Sequence, residues 1–222
     1  MLRDVDLSKI SDGVSYGPED LVKMGCNECN NCHLCCTGMG SSIILDPYDI
    51  YNLEKATGKD IKELLENHLE LNVVDGVIAP NLKMEEGRDR CTFLSKEGRC
   101  TIHELRPGFC RLFPLGRVYE EEGFFYIHQN KECPYPNKTK VKIKKWLGIT
   151  NYKEYEQFIL TWHNFLKSMQ EFINICQDEN QIKTLNMLIL NTFYLTMYNV
   201  EEDFYGQLYD RLADINSKLG LN

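Results

Sequence analysis

The stretch CNECNNCHLCC, residues 26–36, places five cysteines in eleven positions. The chain has 222 residues and ten cysteines, so half of its cysteines lie in this one stretch. Four more follow downstream, at Cys91, Cys100, Cys110 and Cys133. Packing alone does not explain so many, because buried cysteines usually occur one at a time. The sequence predicts that sulfur chemistry organises this part of the chain.

Four kinds of chemistry use clustered cysteines: disulfides, a redox dithiol, a zinc site and an iron-sulfur cluster. The N-terminal residues lack the apolar run of a signal peptide, and no segment has the uninterrupted length of a membrane span. We therefore expect a cytoplasmic protein that does not bind a membrane, in which thiols stay reduced. Reduced cysteines in this number indicate metal ligands or catalytic groups rather than a disulfide framework.

The charge of the chain argues against a nucleic-acid partner. The net charge is −8, and the acidic residues are spread along the sequence rather than gathered in a tail. Such a chain is soluble but repels a polyanion. Five lysines lie between Pro134 and Lys145, and we interpret them as a solvated charged face.

The first cysteine stretch can be divided into a set of four in two ways. One division has the C-x2-C-x2-C-x3-C spacing of bacterial ferredoxins, with Thr37 where that run has proline, and uses Cys26, Cys29, Cys32 and Cys36. The other uses Cys29, Cys32, Cys35 and Cys36. Spacing alone does not choose between them. The adjacent pair suits two metals or a larger cluster better than one tetrahedral zinc, because neighbouring side chains of an extended chain diverge. Zinc remains open, and the C-x3-C-x2-C spacing of radical-SAM enzymes is absent.

Hairpins and short helices are predicted around the cysteines. Residues 42–45 are predicted to form a strand, followed by a helix with Asp46 as N-cap, Pro47 at its first position and Gly58 after its end. A second helix is expected from Asp60, with His68 at the edge of a core. Residues 73–78 and 116–129 read as hairpins, with turns at Asp-Gly and near Glu-Gly.

Helical periodicity replaces this pattern in the C-terminal part. Apolar residues recur every three or four positions from Tyr155 to Cys176, which predicts one long helix. Two more are expected at about 180–199 and 202–218. Cys176 is interpreted as a small buried hydrophobe.

The sequence therefore predicts an α+β fold in which a small, hairpin-rich, metal-organised module with flanking helices precedes a C-terminal helical bundle. Residues 1–25 are expected to be a loosely structured lead-in, residues 26–137 the cysteine module, and residues 138–222 the helical part, packed on the module as one unit. Residues 134–145 are the candidate joint.

Three motifs resemble a known family. They are CNNCHLCC, CTFLSKEGRCTIHELRPGFCRLFP and the CP at residues 133–134. Together they are similar to the YkgJ-type CxxCxxCC cysteine-cluster family, a zinc- or iron-chelating domain related to flagellin lysine N-methylases, over about residues 26–137. His33 stands where that family often has glycine.

The resemblance implies metal binding by eight cysteines and assigns roles to two arginines. The implied ligands are Cys29, Cys32, Cys35, Cys36, Cys91, Cys100, Cys110 and Cys133. Cys26 and His103 are further candidates. Four thiolates around Zn²⁺ or a [4Fe-4S]²⁺ core carry a net charge of −2, which Arg106 and Arg111 would offset. The alternative for both arginines is hydrogen bonding to backbone carbonyls.

Three functions follow. The first is metal binding by cysteine-ligated iron-sulfur or zinc centres. The second, implied by the resemblance alone, is transfer of a methyl group from S-adenosylmethionine to lysine of a protein substrate, although the sequence has no glycine-rich Rossmann fingerprint. The third is ferredoxin-like electron transfer. An unidentified protein partner or protein substrate is expected in each case.

Overall fold

The computed structural model describes residues 6–26, 32–130 and 132–220. Its helices are α1 (Leu7–Ile10), α2 (Pro47–Thr57), α3 (Ile61–Asn67), α4 (Gly108–Leu112), α5 (Ile143–Leu147), α6 (Tyr152–Ile175), α7 (Glu179–Leu190) and α8 (Phe204–Leu219). Its strands are β1 (Leu21–Gly25), β2 (Leu69–Val74), β3 (Val77–Leu82), β4 (Leu115–Glu120), β5 (Gly123–His128) and β6 (Thr139–Lys142). The α+β class predicted from the sequence is confirmed.

The strands form three separate antiparallel pairs, β1 with β6, β2 with β3 and β4 with β5. Both predicted hairpins are present. Asp75 and Gly76 connect β2 to β3 with φ angles of 49° and 85°, as a two-residue type I′ turn requires. In the other hairpin Glu120 pairs with Gly123, so the turn lies at residues 121 and 122.

Helix α2 begins and ends where its capping residues predict. The Asp46 side chain accepts a hydrogen bond from the Asp49 N-H, and the Asp49 side chain accepts one from the Asp46 N-H. This reciprocal capping box satisfies two backbone donors that the first turn leaves free. Gly58 ends the helix in the left-handed region, at φ 66°. Asp60 and Glu63 form the same box at the start of α3.

Two regions are more ordered than the sequence predicts. The expected lead-in contains α1 and β1, and Tyr16 bridges Tyr126 of β5. The expected joint contains β6 and α5, because residues 139–142 pair with β1. Two of its lysines, Lys142 and Lys144, form ion pairs with Glu19. The prediction missed this pairing because the two strands lie more than a hundred residues apart.

Four smaller predictions are corrected. Residues 42–45 form an isolated bridge from Ile44 to Asn81 rather than a strand. Helix α3 ends at Asn67, because the chain enters β2 directly after His68. Helix α7 gives way at Asn191 to a wider π-helical turn that ends at Leu195. Cys176 is half-buried at the C-terminal cap of α6, with its thiol near the Asp178 carbonyl, rather than inside the core.

One large and one small hydrophobic cluster fill the interior. The large cluster joins residues of the cysteine region, such as Phe93 and Ile102, to the apolar faces of α2, α6 and α8. The small cluster consists of Val22, Met24, Leu112, Leu115, Tyr126, Ile143 and Leu147. The cysteine region therefore packs directly on the C-terminal helices. Helices with the length and apolarity of a membrane span do not occur among the described residues.

Candidate metal centre

Six cysteines line one cavity. It has a volume of about 60 Å³, and its wall also contains His103, Arg106 and Trp146. The cysteines are Cys32, Cys35, Cys36, Cys91, Cys100 and Cys110. Three of them lie within residues 32–36 and three within residues 91–110, more than fifty residues later, so the fold, rather than local spacing, brings the two sets together.

Short turns and single bridges hold these segments in place. Residues 34–36 form one turn of 3-10 helix, and the Cys91 N-H donates to the Cys36 carbonyl at 2.8 Å. Cys91 also bridges Met84, and Cys100 bridges Leu94. Cys110 lies in α4. The backbone around the cavity thus has few regular hydrogen bonds of its own.

The adjacent cysteines interact with each other. A hydrogen bond from the Cys36 thiol lowers the pKa of Cys35 to about 7, and the charge of Arg106 contributes in the same direction. The same hydrogen bond, with burial, raises the pKa of Cys36. The divergence that an extended chain would impose does not occur, because the residues lie in a tight turn. Both side chains face the same cavity.

Burial favours the protonated form of three other cavity thiols in the metal-free chain. It raises the pKa of Cys91 to about 11, and it also raises the pKa values of Cys100 and Cys110. These thiols raise one another's pKa values further, because a second negative charge in the cavity is unfavourable. Metal binding here must therefore release protons.

Arg106 and Arg99 both line the cavity, and Arg106 has the larger effect on the pKa of Cys100. The positive charge of Arg106 opposes the rise in the pKa of Cys100 and favours the thiolate of Cys35. Its Nη1 atom contacts Nδ1 of His103 at 3.1 Å. The Nε atom of Arg106 is buried and has no hydrogen-bond partner among the residues that the structure describes. A buried donor without a partner is costly, and a sulfur acceptor in the cavity would supply one.

Arg111 has the alternative role. Its Nε atom donates to the Arg106 carbonyl at 2.9 Å and its Nη1 atom to the Leu147 carbonyl at 3.2 Å. Its Nη2 atom donates to the Glu104 carbonyl. The guanidinium therefore holds three backbone segments together, and its charge serves α4 rather than the thiols directly.

Cys26 and Cys133 are not part of the cavity lining. The thiol of Cys133 interacts electrostatically with Cys26 and Cys32, and burial is the main cause of its raised pKa. Cys26 is buried directly after β1. Cys29 lies outside the described residues. Within the described ranges, no three His, Cys, Asp or Glu side chains come together as a group that could hold a metal ion.

The donor set nevertheless fits a thiophilic metal. Six sulfur atoms line one cavity, and soft thiolates favour zinc and iron-sulfur clusters. The buried Nε of Arg106 supplies a hydrogen-bond donor toward them. The thiols surround the cavity without converging on one point.

Sequence reasoning missed Asp49. We interpreted residues 46–49 only as a helix start, but Oδ1 of Asp49 also accepts a hydrogen bond from the Gly108 N-H at 2.7 Å. The only signal was a capping residue with a second carboxylate oxygen available, and that signal does not identify a distant partner.

Comparison with known proteins gives one match. No curated protein and no solved structure matches the chain. One family model, CxxCxxCC, matches residues 28–134 and carries the description "Putative zinc- or iron-chelating domain". The matched region includes the six cavity cysteines as well as Cys29 and Cys133, and excludes Cys26 and Cys176. Residues 28–134 are therefore similar to the CxxCxxCC family of zinc- or iron-chelating domains.

Proposed function

We propose that this protein is a metal-binding protein in which the cysteines of the cavity hold an iron-sulfur cluster. The observation that carries the proposal is the lining of one cavity by six cysteines, three of which lie more than fifty residues from the other three in sequence. The similarity of residues 28–134 to chelating domains supports metal binding. The choice of an iron-sulfur cluster over zinc rests on the spread of the thiols.

The spread favours a centre larger than one ion. Zn²⁺ binds four ligands with zinc-sulfur distances of about 2.3 Å, so its sulfur atoms lie within about 4 Å of one another. The described side chains contain no such group of three or more donors, whereas the cavity has a volume of about 60 Å³. Thiolates that bind the corners of a cluster lie farther apart than those around one ion.

The residues of the chain would have separate roles toward this centre. Thiolates from Cys35, Cys36, Cys91, Cys100 and Cys110 are the proposed ligands, and Cys32 is a further candidate at the cavity wall. Arg106 would offset their negative charge and donate from Nε. Arg111 would hold the segment that carries Cys110. When bound, an iron-sulfur cluster would supply a one-electron carrier.

The other predicted functions remain predictions. Electron transfer requires that the centre be reversibly reducible. Methyl transfer from S-adenosylmethionine and binding of a protein partner rest on the resemblance alone. The proposed ligands need reduced thiols, which fits the cytoplasm expected from the sequence.

Metal and acid-labile sulfide analysis of protein purified without oxygen tests the proposal. We expect iron with equimolar sulfide and a broad visible absorption band that dithionite bleaches. If the analysis finds zinc without sulfide, the cavity holds a structural zinc centre and the proposed cluster is wrong. If the purified protein contains neither iron nor zinc at a stoichiometric level, the proposal that it binds metal is overturned.

A further inference from the structure

We propose that Asp49 is a positioning residue of the metal centre, because its buried carboxylate fixes the segment that carries Cys110 through the N-H of Gly108. The inference rests on the proposed function and extends it to a residue that is not a cysteine. Asp49 is 2% exposed, and its Oδ1 lies 2.7 Å from the Gly108 nitrogen across 59 residues of sequence.

Capping of α2 does not require this contact. The capping box uses the Asp49 side chain once, since Oδ2 accepts the Asp46 N-H at 3.1 Å. The corresponding box at α3, formed by Asp60 and Glu63, lies on an exposed turn. The second oxygen of Asp49 is therefore free for the Gly108 contact, which joins the start of α2 to the start of α4.

The Cys110 segment depends on a small number of contacts. Pro107 has no N-H, so Gly108 supplies the first backbone donor of α4. A side chain at position 108 would place its Cβ 3.3 Å from the Tyr155 hydroxyl and 3.6 Å from Asp49 Oδ1. The first distance is a tight contact with the Tyr155 hydroxyl, whereas the second is an ordinary van der Waals contact with the carboxyl group of Asp49. Arg111 holds the other end of the same short helix.

Asp49 lies beside a second buried carboxyl group, that of Asp46. Burial raises the pKa of Asp49 well above its usual value, and the charge of Asp46 raises it further, while the charge of Arg111 opposes the rise. A buried carboxylate is costly to retain, and the contact with α4 gives a reason for its position.

Two measurements on the whole chain test this inference. The first is metal affinity by chelator competition, and the second is the alkylation rate of each cysteine in metal-free protein, resolved by mass spectrometry. The variants are Asp49→Ala, Asp49→Asn and the matched control Glu63→Ala, which removes the same capping carboxylate from α3. We expect Asp49→Ala to weaken metal affinity by about tenfold, as the loss of a ligand-orienting contact does, and to raise the alkylation rate of Cys110 relative to Cys91. Asp49→Asn keeps an oxygen that can accept the Gly108 N-H, so it should lie closer to wild type.

Three results would overturn the inference: unchanged affinity and Cys110 protection in Asp49→Ala, an equal effect of Glu63→Ala, or an effect of Asp49→Asn as large as that of Asp49→Ala. If Asp49→Ala does not fold, Asp49→Asn is compared with wild type and with Glu63→Ala. Alkylation of Cys110 in Asp49→Asn that is more than about threefold faster than in these two proteins overturns the inference, and a smaller change supports it. If the wild-type protein binds no metal, the proposed function fails, but the alkylation rates in metal-free protein still test the positioning of Cys110.

Discussion

Arg106 and Arg111 lie five residues apart in one motif, yet their guanidinium groups have different surroundings. The sequence predicted that both arginines would lie near the thiols, with hydrogen bonding to backbone carbonyls as the alternative for each. The charge of Arg106 acts on the Cys35 thiol, whereas Arg111 donates to carbonyls. Spacing could not distinguish them, because the turn at Pro107 and Gly108 determines which side chain faces the cavity.

Removal of the Arg106 charge should weaken metal binding. In Arg106→Ala the thiolates lose a nearby cation and a buried donor, so we expect metal affinity to fall by about tenfold. Arg106→Lys keeps the charge but loses the planar guanidinium group, so its metal affinity should lie between those of wild type and Arg106→Ala. Chelator competition measures the affinities. The control is Arg88→Ala, since the Arg88 side chain is 74% exposed and pairs only weakly with Glu85. Equal affinity in Arg106→Ala and Arg88→Ala would contradict the role assigned to Arg106.

Glu54 should make stability depend on pH. This side chain of α2 is 4% exposed and accepts the Tyr198 N-H at 3.3 Å. Burial raises the pKa of Glu54 from 4.5 to about 7. The folded chain thus holds a proton that the unfolded chain releases, so the contribution of Glu54 is present below pH 4.5 and lost as the pH rises to 7.

The variant Glu54→Gln cannot bind or release this proton, so its comparison with wild type measures the contribution of Glu54. Between pH 5 and 7 the free energy of unfolding of wild type should fall more steeply than that of Glu54→Gln, by about 1 kcal/mol per pH unit. Urea unfolding at several pH values measures the two slopes. Other buried acids titrate in both proteins and cancel in the difference. Parallel slopes would show that Glu54 is ionised in the folded state.

At the scale of elements, local signals predicted the hairpins and α2 well. Asp75-Gly76 fixes the turn between β2 and β3, and Asp46 and Gly58 mark the two ends of α2. Long-range contacts were not predicted. The pairing of β1 with β6 depends on residues far apart in sequence, and α7 ends at Leu190 although its apolar pattern continues. The periodicity of apolar residues predicts neither the pairing of β1 with β6 nor the end of α7.

Asn186 should be necessary for the docking of one hairpin on α7. Its Oδ1 atom accepts the Ile78 N-H at 2.7 Å, and its Nδ2 atom donates to the Gly76 carbonyl at 3.0 Å. Asn186→Ala leaves both backbone groups without partners, so we expect a loss of roughly 2 kcal/mol in the free energy of unfolding. The control is Asn180→Ala on the same helix, where the side chain is exposed. Chemical denaturation compares them, and similar losses would refute a specific role for Asn186.

At the scale of the whole molecule, the cysteine region and the C-terminal helices share a core. Cys91 is itself a member of the large cluster, together with Phe158 and Leu208. The sequence predicted a cysteine-rich part and a helical part that pack together, but it did not identify the residues in contact. The shared core links the metal centre to α6 and α8.

Loss of metal should therefore destabilise the entire chain. We expect a chelator to lower the midpoint of thermal unfolding by about 5 °C or more, because metal binds only the folded cavity. The transition should stay single, since the two parts share one cluster. Circular dichroism, which follows the helices, would show two separate transitions if the metal stabilised only the cysteine region.

Metal stoichiometry in cysteine variants tests the central claim most directly. Wild type, Cys100→Ser and Cys176→Ser would be purified without oxygen and their metal content measured per chain. Cys100 lines the cavity, whereas Cys176 lies at the end of α6. We expect full metal content in wild type and in Cys176→Ser, and a loss of at least half in Cys100→Ser. Equal metal content in all three proteins would contradict a centre held by the cysteines of the cavity.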